Sequence, residues 1–273
     1  MPPSRRSDFL SAALLDELSG IASQAAAAIL SIDRSSIAWR NKDDGSPVTV
    51  ADEAANDVIL ARLPSLLPGI PIVSEEGSAR SVGGASQEDF IFVDPLDGTR
   101  EYLAGRCEFT VNIGVVVDRV PMIGVIAAAA HRAIWRGAAG LGAQRLSFDP
   151  GAASNLGHCP IDIHTRRPAD AVVAMVSRSH FDRETDAFLT ARMVTRRLAC
   201  GSSLKFCRIA EGRADLYARH APTSQWDVAA SHAILVAAGG AVTKPDGRPL
   251  SYGANARSFS IPGFVAWGDH APL

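Results

Sequence analysis

The chain has 273 residues, is 47% apolar and 21% charged, and carries a formal net charge of −2. A chain of this length buries about three quarters of its unfolded surface, so its core needs no disulfide or metal staple, and the ordinary composition excludes a fibrous or disordered polymer. The near-neutral balance, with no Lys/Arg-rich run, offers no field to a nucleic acid polymer, so an anionic partner has to be small and held locally.

From the N-terminus, Leu10, Leu14, Leu18, Ile21, Ala25 and Ile29 recur at helical spacing. Asp16 and Glu17 interrupt the stretch, so it reads as an amphipathic helix and not as a targeting or transmembrane segment. In NKDDGSPVTVADEAANDVILARL the Asp, Gly and Pro residues make a turn. Thr49 suits the N-cap of a helix running to about Leu63, which places Asp52 in its first turn. Residues 70–73 and 89–94 read as short strands that end at acids, with Glu75 and Glu76 after the first and Asp94 closing the second. Residues 109–130 read as two strands folded about Asp118 and Arg119, which favours antiparallel pairing.

The Gly-, Pro- and Ala-rich stretch from Asp149 to Asp170 is the candidate boundary between an N-terminal α+β half, 1–148, and a C-terminal α/β half, 149–273. Beyond it the pattern alternates: strand (AVVAMVS), helix (182–192), strand (VTRRLAC), helix (SSLKFCRIAEG), strand (ADLYARH), helix (WDVAASHAILVAAG) and a final strand pair. The four cysteines make no C-x-x-C pair and the seven histidines no zinc-type cluster, a usage that fits a reducing cytoplasm.

The segment FIFVDPLDGTREY carries the chemistry. Asp94 and Asp97 stand three apart across Pro95, which blocks a helix and lets both carboxylates turn to one side of a loop. Gly98 and Thr99 suit a helix start, whose free N–H groups favour a phosphate. Carboxylates beside a phosphate repel it unless a cation lies between them, and hard divalent cations take such oxygen ligands.

SPVTVAD (46–52), IVSEEG (72–77), VDPLDGTREY (93–102) and QWDVAASHAILVAAGG (225–240) resemble, in order, the four signature blocks of the inositol monophosphatase superfamily of Mg²⁺-dependent, lithium-sensitive phosphatases. The resemblance implies an α+β fold, an αβαβα layered sandwich with mainly antiparallel sheets and the site between the halves. It implies Glu75, Asp94, Asp97, Asp227 and the Leu96 carbonyl as ligands to two or three Mg²⁺ ions. It also implies that Asp52, Thr99 and Glu75 are the catalytic groups acting on water, while the N–H groups of Gly98 and Thr99 hold the phosphate. No protein nucleophile is needed in such a scheme.

EFTVNI (108–113), SRSH (177–180) and residues 200–227 resemble more narrowly the bacterial CysQ-type 3'(2'),5'-bisphosphate nucleotidases. This implies as substrate a small phosphate ester, adenosine 3',5'-bisphosphate, with its sulfated relative PAPS as a second, and a place in sulfur metabolism. It also implies that His180, Ser202, Lys205 and Arg219 contact the nucleotide beside Glu75, Leu96, Asp97, Gly98, Thr99 and Asp227. Ser202 and Lys205, three apart at a helix start, can share one face. A cytoplasmic enzyme, peripheral to the inner membrane or free of it and monomeric or a homodimer, fits the same resemblance. The alternatives are an inositol or sugar phosphate monoesterase of the same mechanism, in which Lys205 and Arg219 are incidental, and a non-catalytic phospholigand-binding protein, which has no use for an Asp52–Thr99 pair.

Overall fold

The computed structural model of the protein describes residues 10–34, 37–42, 45–77, 88–149, 160–168, 171–253 and 259–269. Helix α1 (Ala12–Ser31), capped by Ser11, precedes a hairpin of β1 (Trp39–Asn41) and β2 (Pro47–Thr49), which leads straight into α2 (Val50–Leu66). A seven-stranded sheet then runs in simple order through β3 (Ile72–Ser74), β4 (Phe90–Asp97), β5 (Thr110–Val117), β6 (Val120–Ala128), β7 (Ala133–Ala138), β8 (Gly142–Ser147) and β9 (Ile161–Ile163). Only its first pair is parallel. The short helix α3 (Thr99–Leu103) links β4 to β5.

The following strands and helices are β10 (Val173–Ser177), α4 (Arg183–Ala191), β11 (Arg196–Cys200), α5 (Leu204–Ala210), β12 (Leu216–Arg219), β13 (Thr223–Ser224), α6 (Gln225–Ala237), β14 (Ala241–Thr243), β15 (Ser260–Ile261) and β16 (Phe264–Trp267). Five of these strands form a second sheet in the order β11-β10-β12-β16-β14. The expected element order of this region holds, and the final pair, β14 with β16, is antiparallel. Antiparallel pairing dominates the described strands, as expected.

The layers follow from side-chain alternation. In the FIFV run of β4, Ile91 and Val93 face a core shared with α1 and α2, whereas Phe90 and Phe92 face a second core. Both faces are buried, which is why the run is continuously apolar. The second core contains α5 and α6, and a third cluster joins the outer face of the second sheet to α4. The result is the αβαβα sandwich. α1 is long and apolar enough to cross a membrane by length and composition, but half of its apolar window is buried inside the protein, where Leu18, Ile21 and Ile29 belong to the first core.

One packing feature positions the site. Gly114, Gly124 and Gly137 are paired across β5, β6 and β7. A Cβ at Gly114 would lie 2.6 Å from the Ala230 nitrogen, and one at Gly137 would lie 3.0 Å from the Ala237 Cβ. This glycine row lets α6, with alanines on the facing side, lie directly on the sheet. The N-terminus of α6 is thereby brought to the end of β4.

Candidate active site

β4 does not end at Asp94 but continues to Asp97 with a register shift between them: Asp94 pairs with Asn112 and Asp97 with Thr110. The two aspartates are therefore not on a free loop, as expected from Pro95, but on a β-bulge. In a regular strand residues three apart point to opposite faces, and one extra residue on the bulged strand returns them to the same side. Pro95 is tolerated at a bulge because no ladder donor is required of it. The Asp94 Oδ1 accepts the Leu96 N–H at 3.1 Å and fixes the turn.

Glu75 follows β3, parallel to β4, and Asp227 opens α6. Together with Asp94 they offer oxygen atoms within 4.8 Å of one another. Asp97 stands beside this trio, with its Oδ2 held by the Ser203 N–H (2.6 Å) and hydroxyl (2.7 Å). Asp227 is the third residue of its helix, which Ser224 caps, and its carboxylate accepts from the Thr223 hydroxyl and the Ser224 N–H.

Burial, reinforced by Glu75, Asp97 and Asp227, pushes the Asp94 carboxyl well above the usual carboxylate range. Burial first, then Asp97 and Glu75, pushes Asp227 up to about 7. Burial raises Glu75 as well, against the pull of the Lys42 ammonium 2.8 Å from its Oε1. Crowded carboxyls of this kind ionise together only if a positive charge enters, so this donor set of hard oxygens fits a divalent metal ion.

Asp52 and Thr99 meet where the first core reaches the sheet end. Thr49 caps α2 and Asp52 is its third residue, a reciprocal capping box in which Asp52 Oδ2 accepts the Thr49 N–H (2.8 Å) and hydroxyl (2.7 Å). Its other oxygen accepts from the Thr99 hydroxyl at 3.1 Å, which also lies 3.0 Å from the Leu96 carbonyl. Burial raises the Asp52 carboxyl. Gly98, with φ +94°, caps α3, and a Cβ there would strike the Glu108 carbonyl at 2.8 Å, so only glycine turns the chain at this point.

Glu75, Asp97, Gly98, Thr99 and Asp227 open onto a cavity of about 330 Å³, which His180, Ser202, Lys205 and Arg219 also line. Asp94, Asp52 and the Leu96 carbonyl lie behind its wall. Ser202 is not on α5 but in a left-handed turn before it (φ +51°). Buried Lys205 in the first turn donates to the Ser202 carbonyl at 2.6 Å. The Arg219 guanidinium donates to the Ala221 (3.4 Å) and Pro222 (3.2 Å) carbonyls. Burial, then Arg219 and Arg100, lowers the His180 pKa, so the ring is neutral at pH 7. The cavity wall is pinned across the layers by Arg178, which holds Glu108 at 2.8 and 2.6 Å while Glu108 accepts the Gly201 N–H at 2.8 Å.

The sequence reading assigned nothing to Lys42, Ser203 or Thr223, although each donates directly to an acid of the site. Thr-x-x-Asp at 49–52 and Ser-x-x-Asp at 224–227 are both capping boxes. That signal was available for Ser224, whereas nothing local marks Lys42 or Ser203.

The profile of the inositol monophosphatase family matches residues 11–261. The chain is 37% identical over 253 residues to the 3'(2'),5'-bisphosphate nucleotidase CysQ of Salmonella typhimurium, covering 92% of this chain and 98% of that protein. It is 36% identical over 256 residues to CysQ of Buchnera aphidicola, covering 93% of each. Among solved structures it is similar to CysQ from Bacteroides thetaiotaomicron, described as a bacterial member of the inositol monophosphatase family, with a TM-score of 0.75 and 30% identity over 95% of this chain and 98% of that one. An inositol monophosphatase from Zymomonas mobilis matches with a TM-score of 0.72 and 26% identity over 98% and 95%. The blocks that resembled a family thus converge on one cavity in a fold shared along nearly the whole chain, and the chain belongs to the inositol monophosphatase family.

Proposed function

We propose that the protein hydrolyses the 3'-phosphate of adenosine 3',5'-bisphosphate to AMP and phosphate, with PAPS as a second substrate. The observation that carries this reading is that one cavity combines the carboxylates of Glu75, Asp97 and Asp227 with two cations, Lys205 and Arg219, that have only backbone carbonyls as hydrogen-bond acceptors. A monoester needs only the carboxylates, whereas a substrate with a second phosphate uses the two cations as well. The similarity to nucleotidases at 36–37% identity supports the same choice.

Two or three Mg²⁺ ions fit the acidic end, held by Glu75, Asp94, Asp97, Asp227 and the Leu96 carbonyl. When bound, such ions acidify a water and offset charge on the phosphate oxygens during in-line displacement. The residues supply the rest. The N–H groups of Gly98 and Thr99 hold the reacting phosphate. The Thr99 hydroxyl, by donating to Asp52 Oδ1, turns a lone pair to the attacking water and accepts its proton as its own passes to Asp52. Glu75 orients that water from the other side. Thr49 keeps Asp52 in place by engaging its second oxygen. Ser202, Lys205, Arg219 and neutral His180 hold the nucleotide.

Phosphate release in MgCl₂ tests the assignment. kcat/KM for adenosine 3',5'-bisphosphate is expected to exceed that for inositol 1-phosphate by on the order of 10²-fold or more, because charged groups left unpaired by the smaller substrate are costly. Equal or reversed values would overturn it.

A further inference from the structure

Arg100 has been given no role. It follows Thr99 in the first turn of α3, and successive helical residues point about 100° apart. While the Thr99 hydroxyl faces Asp52, the Arg100 side chain leaves in another direction and lines the cavity beside His180, with its Nη1 3.4 Å from His180 Nε2. A guanidinium only donates, so His180 Nε2 is the acceptor and Nδ1 carries the proton of the neutral ring. The backbone N–H of His180 donates to the Ser177 hydroxyl at 3.0 Å.

Arg100, Lys205 and Arg219 all act on the His180 ring as nearby positive charges. Among the described residues none of the three forms an ion pair with a carboxylate. Arg178 behaves differently and is closed on Glu108. Glu101 is the one acid near His180 that lines this part of the cavity, and its Oε1 accepts the Ser179 hydroxyl. Three cations therefore surround His180 with Glu101 as the one nearby carboxylate, and Arg100 comes from α3 while the other two come from α5 and β12. A phosphate held from a single element is free to swing, whereas one held from several elements, one of them by a planar fork, is fixed in register.

We infer that Arg100 is a specificity-determining residue that clamps the second, non-reacting phosphate of a nucleoside bisphosphate from the α3 side, together with Lys205 and Arg219. The inference rests on the bisphosphate reading above and adds a consequence: the residue next to Thr99 ties the position of the second phosphate to that of the reacting one. Arg100 is then the link through which the far phosphate aligns the near one.

The test compares Arg100→Ala and Arg100→Lys with the parent protein on adenosine 3',5'-bisphosphate and on adenosine 3'-monophosphate, together with inhibition by AMP and by inorganic phosphate. Arg100→Ala is expected to lose at least 20-fold in kcat/KM on the bisphosphate and less than 3-fold on the monophosphate. AMP inhibition should weaken by a similar factor as the bisphosphate loss, inorganic phosphate inhibition should hold, and Arg100→Lys should recover part of the loss. Equal losses on both substrates would place Arg100 at the reacting phosphate or in the fold and overturn the inference, as would no loss on either. If the parent protein shows no preference for the bisphosphate, the proposed function fails by itself, and AMP binding to Arg100→Ala, measured calorimetrically, still decides whether Arg100 holds a 5'-phosphate.

Discussion

The acidic and the cationic residues that meet around the cavity are built on opposite electrostatic plans. At the acidic end, Glu75, Asp94 and Asp227 crowd together below the surface and resist ionisation, with Asp97 beside them, and protein donors from Ser203, Thr223 and Lys42 hold them in place. Lys205 and Arg219, by contrast, satisfy their donors on main-chain carbonyls and form no ion pair among the described residues. The first arrangement is incomplete without cations and the second without an anion. Under the proposed function, a phosphorylated nucleotide bound with divalent ions would complete both.

The largest effect expected from breaking this contrast is at Asp94. Asp94→Asn should reduce Mg²⁺-dependent phosphate release on the order of 10³-fold or more, because lost charge compensation in the transition state is worth several kcal/mol. The same change should raise the thermal midpoint of the metal-free protein, since it removes one of the repelling carboxyls. A lowered midpoint with unchanged release would mean that the acids stabilise one another and await no cation. A smaller effect is expected at Thr99. Thr99→Ala should lower kcat on the order of 10²- to 10³-fold with KM within a factor of about three, and Thr99→Ser should restore most of it, as a proton-transfer role requires. A rise in KM alone would move Thr99 from the chemistry to substrate holding.

How much of this was legible in the sequence differs between the ends. The acidic end is written locally: strand runs that stop at acids, Pro95 between two aspartates, Gly98 before Thr99, and the capped start of α2 with Asp52 in its first turn. Even there the bulge escaped, because a bulge is decided by register against β5 and not by the residues of β4 alone. The meeting of Asp227 with Asp94 was reachable only through family resemblance. Its physical cause is the row of Gly114, Gly124 and Gly137, which are unremarkable in sequence and become a helix seat only when three strands align. The cationic end was named from resemblance as well. Ser202 in a left-handed turn and Lys205 folded back on its carbonyl are tertiary outcomes, and Lys42 reaches Glu75 from a hairpin 33 residues away.

The smallest effect expected is in stability, and it asks whether the acidic end is held under strain without a cation. In the metal-free protein the Asp227 carboxyl titrates at about 7, against an ordinary value of 3.8. Below about pH 4 both folded and unfolded chains hold this proton and its contribution is fully present. As pH rises toward 7 the unfolded chain gives up the proton and the folded one keeps it, so stability is lost across that interval, on the order of a few kcal/mol. Buried His232, pushed down to about 4, has the opposite sign: between about 4 and 6.5 the unfolded chain holds the extra proton and stability rises with pH. The raw profile therefore mixes the two, and the informative quantity is the difference between the parent protein and Asp227→Asn in urea melts from pH 4 to 8. Asparagine can still accept the Ser224 N–H, so the capping box loses little. Asp227→Asn should match the parent near pH 4, overtake it as pH approaches 7, and lose this advantage in saturating MgCl₂, which binds only the ionised parent site. A variant weaker than the parent by the same amount at every pH would show that Asp227 serves its helix, and the proposed contrast between the two ends would then lack its acidic half.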